Sequence, residues 1–201
     1  MFNTLNNLYA LTLTQSAQAP EVVLKLSGLL RYMLYECNVN HVALTRELSL
    51  LNDYLALEQL RYGDRLDLSV NISGDLDGKL IAPLLLIPFL ENSFKHGASE
   101  HLDQAWITVD VTVRENTLKF KVMNAVPVTE TPQGLAGGIG LLNVRKRLSL
   151  LYTGRHELRT IREGETFLVS LTIQLETALS PLGQSLVPQA PPAVQPEISL
   201  P

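Results

Sequence analysis

The sequence predicts an α+β fold in which the chain begins with helices and continues with strands. Helices are expected to pack on one face of a mixed β-sheet. Apolar residues recur at helical spacing through 1–62, and from Arg65 onward they alternate with polar residues in several short segments. The predicted order is three helices, a strand, a helix, two strands, a helix and two strands. With 46% hydrophobic and 18% charged residues, the 201-residue chain falls outside the disordered class and can bury one sizeable core.

Three helices are predicted in the first third of the chain. The first begins near Phe2, and the second covers 22–35 after a proline that suits a first helical turn. Thr45 is the predicted N-cap of the third helix, which carries Glu47 in its first turn and ends near Tyr62. Because the first two helices have wide apolar faces, they need a partner surface, either the following domain or a second copy of the chain.

The remaining elements follow from alternation and turn residues. Helices are predicted over 83–96, despite Pro88, and over 141–152, with a long glycine-containing loop over 124–140 between the strands and the second of these helices. Alternating apolar residues predict strands over 66–72, 107–113, 118–122, 156–162 and 166–175, the last two forming a hairpin around Gly164.

The chain is expected to divide into a helical region over 1–62, a sheet domain over 63–176 and a tail over 177–201. Six of the eleven prolines lie in the last 21 residues, so the tail is predicted to be an irregular, proline-rich extension.

Composition and charge exclude several classes of protein. A net charge of −4 without basic runs argues against general nucleic-acid binding. Cys37, the single cysteine, excludes a disulfide framework and a cysteine-based zinc site, and suits a reducing cytosol. The longest apolar stretch is the eleven residues of 80–90, against the ~20 that a membrane-spanning helix needs. We expect a cytoplasmic chain without a signal peptide.

The first candidate motif is the polar set Glu91, Asn92, Lys95 and His96 in the predicted helix over 83–96. Helical spacing places these four side chains within one and a half turns. Asn92 could hold a hydrated Mg²⁺ there, and Lys95 could contact phosphate. The same residues are compatible with a solvated helix edge that carries one ion pair.

The second candidate motif is the glycine-rich segment 134–148, which enters a predicted helix. Backbone N–H groups at such a helix start can bind phosphate. The segment does not match a P-loop or a dinucleotide-binding fingerprint, and an ordinary loop has the same composition. Arg145 and Arg147 are expected to form a solvated basic face. A third segment, 164–167, predicts by itself only a hairpin turn.

Together the three segments, in this order, resemble the ATP-binding domain of the gyrase–Hsp90–histidine-kinase–MutL superfamily. Segment 90–97 (LENSFKHG) resembles the N box, 138–148 (GIGLLNVRKRL) the second glycine box and 164–167 (GETF) the last one. The start of the chain, MFNTLNN, and segment 54–65 (YLALEQLRYGDR) are similar to sensor histidine kinases of the LytS/YehU type. The resemblance covers 1–176 and implies a two-layer α/β sandwich after the dimerisation helices.

By this resemblance, the N-box residues would bind the nucleotide phosphates. Asn92 would coordinate Mg²⁺ on ATP, and Glu91 would act as a base or polariser. Lys95 and His96 would line the phosphate or ribose side of the site.

The resemblance also implies roles for the glycine boxes. Gly138 and Gly140 would let a lid close over the phosphates, and Thr166 would face the floor of the adenine pocket. Asn124 stands where the family usually has the aspartate that binds the adenine amino group. Its amide oxygen can accept the same hydrogen bond without the carboxylate charge, so weaker adenine binding is expected.

The function implied is the ATP-binding catalytic portion of a two-component sensor histidine kinase, which transfers phosphoryl from ATP to a histidine. The family's acceptor histidine would lie just before Met1 and is therefore absent from this sequence. Alternatives are a non-catalytic dimerisation or regulatory module with weak nucleotide binding, and a stand-alone ATPase. The expected partners are a second copy of the chain and a response regulator, with membrane attachment only through a sensor domain of a parent kinase.

Overall fold

The computed structural model describes residues 2–98, 105–127 and 139–178. Its helices are α1 Phe2–Leu13, α2 Ala19–Arg31, α3 Leu44–Tyr62, α4 Ile87–Ser93 and α5 Ile139–Leu151. A π-helical turn, Tyr32–Glu36, continues α2, and another, Phe94–Ala98, continues α4. The strands are β1 Val42–Ala43, β2 Leu66–Gly74, β3 Lys79–Ile81, β4 Ala105–Arg114, β5 Thr117–Ala125, β6 His156–Glu163, β7 Thr166–Gln174 and β8 Glu176–Thr177.

The described strands form one large and one small sheet. The large sheet has the order β2-β4-β5-β7-β6 and is mixed, because β2 runs parallel to β4 and the other pairs are antiparallel. The small sheet, β1-β3-β8, is antiparallel. The α+β class with helices on a mixed sheet is therefore confirmed.

The core lies between one face of the large sheet and the helices. Alternate residues of β4, β5 and β7 point into it, as the period of two predicts. All of them are buried: Ile107, Val109, Val111, Val113, Leu118, Phe120, Val122, Val169, Leu171 and Ile173. The predicted strands and the hairpin around Gly164 are confirmed. At the sheet edge, β2 is less buried than the alternation predicts, and Val70 is 40% exposed.

A second apolar cluster packs the helical region, with Val22, Leu29 and Tyr32 against Leu57 and Ile87. Other apolar side chains of this region face outward. They include Leu5, Tyr9, Leu13, Val23, Leu24, Leu30, Leu34 and Tyr35, all of which are exposed. The single chain therefore covers one side of α2 and leaves another side in water.

Several element boundaries differ from the prediction, among them the start of α5, which is Ile139 rather than residue 141. The helix over 83–96 begins only at Ile87, because Pro88 lacks an N–H and is accommodated in the first turn rather than in the interior. Ala43, not Thr45, is the N-cap residue of α3, whose first helical residue is Leu44. Asn124 belongs to β5 rather than to the predicted loop.

The small sheet joins the predicted helical region, through β1, to β3 and β8. The domain limits at 62 and 176 remain predictions. Most of the proline-rich tail and most of the predicted loop lie outside the described residues.

Candidate functional site

Helix α4 carries Glu91 and Asn92 on its outer edge. Phe89, Leu90 and Phe94 of the same segment are buried and anchor it to the core. Because these anchors occupy the inner face, Glu91 is exposed and Asn92 is half-buried. Both side chains can therefore reach a ligand outside the helix.

Lys95 and His96 lie in the π-helical turn Phe94–Ala98. Lys95 is exposed and His96 is half-buried. The regular 3.6-residue spacing that predicted their stacking on Glu91 and Asn92 stops at Ser93, because a π-helical turn is wider. Such turns within helices are frequent at functional sites.

Gly97 brings this turn against strand β5. An added Cβ at position 97 would lie 2.7 Å from Asn124 Nδ2 and 3.0 Å from the carbonyl oxygen of Ala125. Real Cβ atoms do not approach so closely, so a glycine is needed at this contact. The N-box segment is thereby fixed next to Asn124.

Asn124 is a fully buried polar residue on β5. Its Nδ2 donates a hydrogen bond of 2.8 Å to the carbonyl oxygen of Ala125. The other amide atom, Oδ1, is buried and accepts no hydrogen bond from any described residue. An unsatisfied buried acceptor costs about 1–3 kcal/mol, so a donor from a bound group would be stabilising here. An adenine amino group is such a donor.

Thr166 lies next to Asn124 in the sheet. Strands β5 and β7 pair Ala125 with Thr166 and Asn124 with Phe167. The N–H of Val126 donates to the carbonyl oxygen of Glu165 at 2.8 Å, which continues the ladder to the turn between β6 and β7. Because successive residues of a strand point to opposite faces, Thr166 shares the face of Ala125 and lies on the opposite face of the sheet from Asn124. The expectation that Thr166 faces the same pocket as Asn124 is therefore not supported by the register.

The glycine-rich segment is described only from Ile139 onward. Gly140 lies in the first turn of α5 and is exposed, and no described atom lies within 4 Å of a Cβ added there. Gly138 lies outside the described residues. Helix α5 packs on α4, so Gly140 belongs to the helix that neighbours Glu91 and Asn92.

Acidic groups from α3 and α4 face one another beside the site. Burial raises the pKa of Glu58, Arg61 lowers it through an ion pair at 3.0 Å, and the charge of Glu91 raises it. Burial likewise raises the pKa of Tyr54, with Glu58 and Glu91 contributing in the same direction. Burial and Arg61 therefore dominate the pKa of Glu58, and Glu91 of α4 makes only the smallest of these contributions.

Two charged residues, Arg147 and Glu47, are more buried than the sequence predicts. Arg147, expected on a solvated basic face, is half-buried and donates to the carbonyl oxygens of Pro83 at 2.8 Å and Leu84 at 3.3 Å. Arg145 is exposed, as expected, and donates to Thr160 Oγ1 at 3.2 Å. Glu47, expected only as a first-turn acid, is fully buried.

A signal for the burial of Glu47 was available in the sequence. This residue follows Leu44 by three positions and precedes Leu51 by four, which places it on the apolar face of α3. A carboxylate on the apolar face of a helix must be hydrogen-bonded or paired inside the protein, because burying it without partners would destabilise the fold.

Metal binding by protein side chains alone is not indicated in the described part of the chain. No group of three or more histidine, cysteine, aspartate or glutamate residues there is arranged to hold a metal ion. A Mg²⁺ that arrives with nucleotide phosphates keeps several waters and needs only one or two protein ligands. Asn92 therefore fits this kind of ion.

Comparison with known proteins places the chain in a family. The family model described as histidine kinase matches residues 1–66. The sensor protein LytS of Staphylococcus saprophyticus is 27% identical over 183 residues, covering 86% of this chain. Residues 1–66 of this chain belong to the histidine kinase family. The chain spans 31% of the length of that LytS relative.

A further relative is similar in sequence, and a solved structure is similar in fold. The sensor histidine kinase BtsS of Escherichia coli is 30% identical over 148 residues, which is 74% of this chain and 26% of BtsS. The structure of histidine kinase AdeS from Acinetobacter baumannii is similar in fold, with a TM-score of 0.51, 12% identity and 84% of each chain covered. Among the helices that the structure describes, none is long and apolar enough to span a membrane.

Proposed function

We propose that the chain is the ATP-binding catalytic portion of a two-component sensor histidine kinase, which transfers phosphoryl from ATP to a histidine. The observation that carries the proposal is the buried Oδ1 of Asn124 beside Gly97, which accepts no hydrogen bond within the part of the chain that the structure describes. Histidine kinase catalytic domains bind ATP. The adenine amino group of ATP could donate the hydrogen bond that the buried Oδ1 of Asn124 needs. Residues 1–62 would be the dimerisation region and 63–176 the ATP-binding domain.

In this proposal Asn124 accepts a hydrogen bond from the adenine amino group, whereas Thr166, on the opposite face of the sheet, takes no part in this pocket. Asn92 holds Mg²⁺ on the phosphates, while Lys95 and His96 line the phosphate or ribose side. Gly138 and Gly140 belong to the lid over the phosphates. Together these residues orient the nucleotide and exclude water from it.

Glu91 polarises the acceptor imidazole or takes its proton. The exposure of Glu91 on α4 supports this role, because the side chain is accessible to an acceptor helix that approaches from outside. Bound Mg²⁺ supplies charge neutralisation at the transferring phosphoryl group, and positioning by the protein supplies the rest.

The proposed partners are a second copy of the chain, a response regulator and, in a longer parent protein, a membrane-anchored sensor domain. The exposed apolar residues of α1, α2 and the π-helical turn Tyr32–Glu36 support the first of these. Burying such a surface contributes about 25 cal/mol per Å².

A regulatory module that binds nucleotide weakly and transfers nothing is the second candidate. The neutral Asn124 in place of a carboxylate favours it, because a hydrogen bond to a charged acceptor is roughly twice as strong as one to a neutral acceptor.

Calorimetry and phosphoryl transfer in trans test the proposal. Mg-ATP is expected to bind with a dissociation constant in the micromolar to millimolar range, which corresponds to about 4–8 kcal/mol. The 201-residue chain is then incubated with labelled Mg-ATP and a helical peptide that carries an Asn-Pro-His-Phe segment.

We expect acid-labile label on the peptide and none on the chain, whose four histidines all lie outside α1. Asn124→Ala should lower both binding and transfer, and Asn71→Ala on the sheet edge should leave both unchanged. Absence of binding at several millimolar Mg-ATP would sink the proposal. Binding without any transfer would favour the regulatory module.

A further inference from the structure

The segment between β3 and α4 is held by side chains from two helices. The N–H groups of Leu85 and Leu86 donate to Glu47 Oε1 at 2.9 and 3.3 Å, and the N–H of Leu84 donates to Glu47 Oε2 at 3.0 Å. From α5, Arg147 donates to the carbonyl oxygens of Pro83 and Leu84. Helices α3 and α5 thus contact the same short segment.

Leu84 is the point where the two contacts meet. Its φ is +55°, in the left-handed region that a leucine rarely adopts. Such a conformation costs of order 1–3 kcal/mol and persists only where the surroundings over-determine it. Here Glu47 binds the N–H of Leu84 and Arg147 binds its C=O, so two side chains of opposite charge hold one strained residue from two helices.

Glu47 is suited to this role by its other contacts. Its carboxylate is fully buried, and Tyr32 Oη donates to Oε2 at 2.8 Å. With three backbone N–H groups it therefore accepts four hydrogen bonds. Burial raises the pKa of Glu47, and these donors lower it. The carboxylate also connects the end of α2, through Tyr32, to the segment before α4.

We propose that Glu47 and Arg147 are positioning residues that couple the helical region to the nucleotide site through the Leu84 peptide. Leu84 precedes the first residue of α4 by three positions, so its backbone direction sets how α4 presents Glu91 and Asn92. Arg147 lies on α5, which begins at the glycine-rich segment. A rearrangement of α2 and α3 would thus change α4 and α5 together. The coupling to nucleotide binding rests on the proposed function, whereas the coupling between the helices does not.

The test uses the full 201-residue chain and matched variants. Glu47→Gln keeps the side-chain size but replaces one acceptor oxygen with an NH₂ group that cannot accept. Glu58→Gln is the control, since Glu58 is also a buried carboxylate of α3 but pairs with Arg61 instead. Leu84→Gly is the rescue change, because glycine adopts a positive φ without steric cost. Glu115→Gly, at another residue with positive φ, controls for a general effect of glycine.

Backbone hydrogen exchange, measured without nucleotide and corrected for global stability, is the first readout. In Glu47→Gln we expect exchange in 84–93 and 140–151 to rise about tenfold, as local opening allows. The double variant Glu47→Gln/Leu84→Gly should regain most of the protection. Glu58→Gln alone should not raise exchange in these segments, and Glu115→Gly added to Glu47→Gln should not restore protection. If Glu47→Gln does not fold, Arg147→Gln tests the same segment from α5, with the same rescue expected.

Mg-ADP affinity is the second readout. We expect Glu47→Gln to bind Mg-ADP roughly tenfold more weakly, which is equivalent to about 1.4 kcal/mol. Recovery of affinity in the Glu47→Gln/Leu84→Gly double variant would support the coupling. A rise in exchange that is uniform across the chain, or a double variant no better protected than Glu47→Gln, would overturn the proposal. If the unmodified chain binds no Mg-ADP, the nucleotide function fails, but the exchange data still decide whether Glu47 and Arg147 position α4 and α5.

Discussion

Gly97 and Asn124 lie so close together that a Cβ on residue 97 would be 2.7 Å from Asn124 Nδ2. The contact joins the turn Phe94–Ala98 to the strand that carries Asn124, whose buried Oδ1 accepts no hydrogen bond from the residues of 2–98, 105–127 and 139–178. We therefore expect Gly97→Ala to move Asn124 or the turn and to lower Mg-ATP affinity at least tenfold, about 1.4 kcal/mol. Overpacking should also cost about 1–3 kcal/mol of unfolding free energy.

Gly28→Ala is the matched control for Gly97→Ala. No described atom lies within 4 Å of a Cβ added to Gly28 in α2. Alanine there should raise stability by about 0.5–1 kcal/mol and leave nucleotide affinity unchanged. Calorimetry and urea unfolding measure both quantities. Equal affinity in Gly97→Ala and the unmodified chain would show that this contact does not support the site.

Asn92→Ala is expected to remove the Mg²⁺ dependence of nucleotide binding and to leave metal-free binding nearly unchanged. The reason is that the Asn92 amide oxygen is the proposed protein ligand of an ion that otherwise binds phosphates and water. Titrations with ATP, with and without Mg²⁺, measure the difference. Asn143→Ala, an exposed asparagine on α5, is the control. The metal role of Asn92 is wrong if the Mg²⁺ effect survives its replacement.

Glu58→Gln tests the electrostatics beside α4. Burial raises the pKa of Glu58 in the folded chain, with Arg61 opposing and Glu91 adding to the shift. Protonation thus favours the folded state: the contribution is fully present below the unfolded pKa and is lost as pH rises through the folded pKa. Relative to the unmodified chain, Glu58→Gln should gain unfolding free energy as pH rises from 4 to 7.

Urea unfolding at several pH values measures that trend. The exposed carboxylate Glu163, changed to Gln, serves as the control and should leave the pH dependence unaltered. A constant difference between Glu58→Gln and the unmodified chain across this range would contradict the assignment.

Leu24→Glu is expected to weaken self-association by tenfold or more. Leu24 is 74% exposed on α2, on the side that the single chain leaves uncovered, and a charge there disfavours burial against a second copy. Leu150→Glu, at a leucine that is 79% exposed on α5, should not change the dimer. Sedimentation or light scattering at micromolar concentration reports the result. A monomeric unmodified chain at high micromolar concentration would remove the basis for the dimer.

The sequence by itself predicted the class of fold and the main strands, because residues that alternate in polarity can bury only one face of a strand. The stretch from Ile107 to Val113 is an example. The same patterns led to Glu91, Asn92 and the glycine boxes, and the assignment to the histidine kinases was confirmed by comparison. The predicted start of α4 was wrong, although the sequence contains Pro88, a residue that favours the first turn of a helix.

Tertiary structure decided what no local pattern contains. That no described residue donates to Oδ1 of Asn124 depends on which strands and turns surround this atom. That Arg147 reaches Leu84, 63 residues earlier in the chain, depends on the packing of α5 beside α4. The period of apolar residues in the sequence predicts which face of a helix or strand is buried. It can do so because the hydrophobic effect is non-directional and depends on the apolar area of each residue. Hydrogen bonds between distant residues require a specific distance and angle, and only the assembled fold sets these.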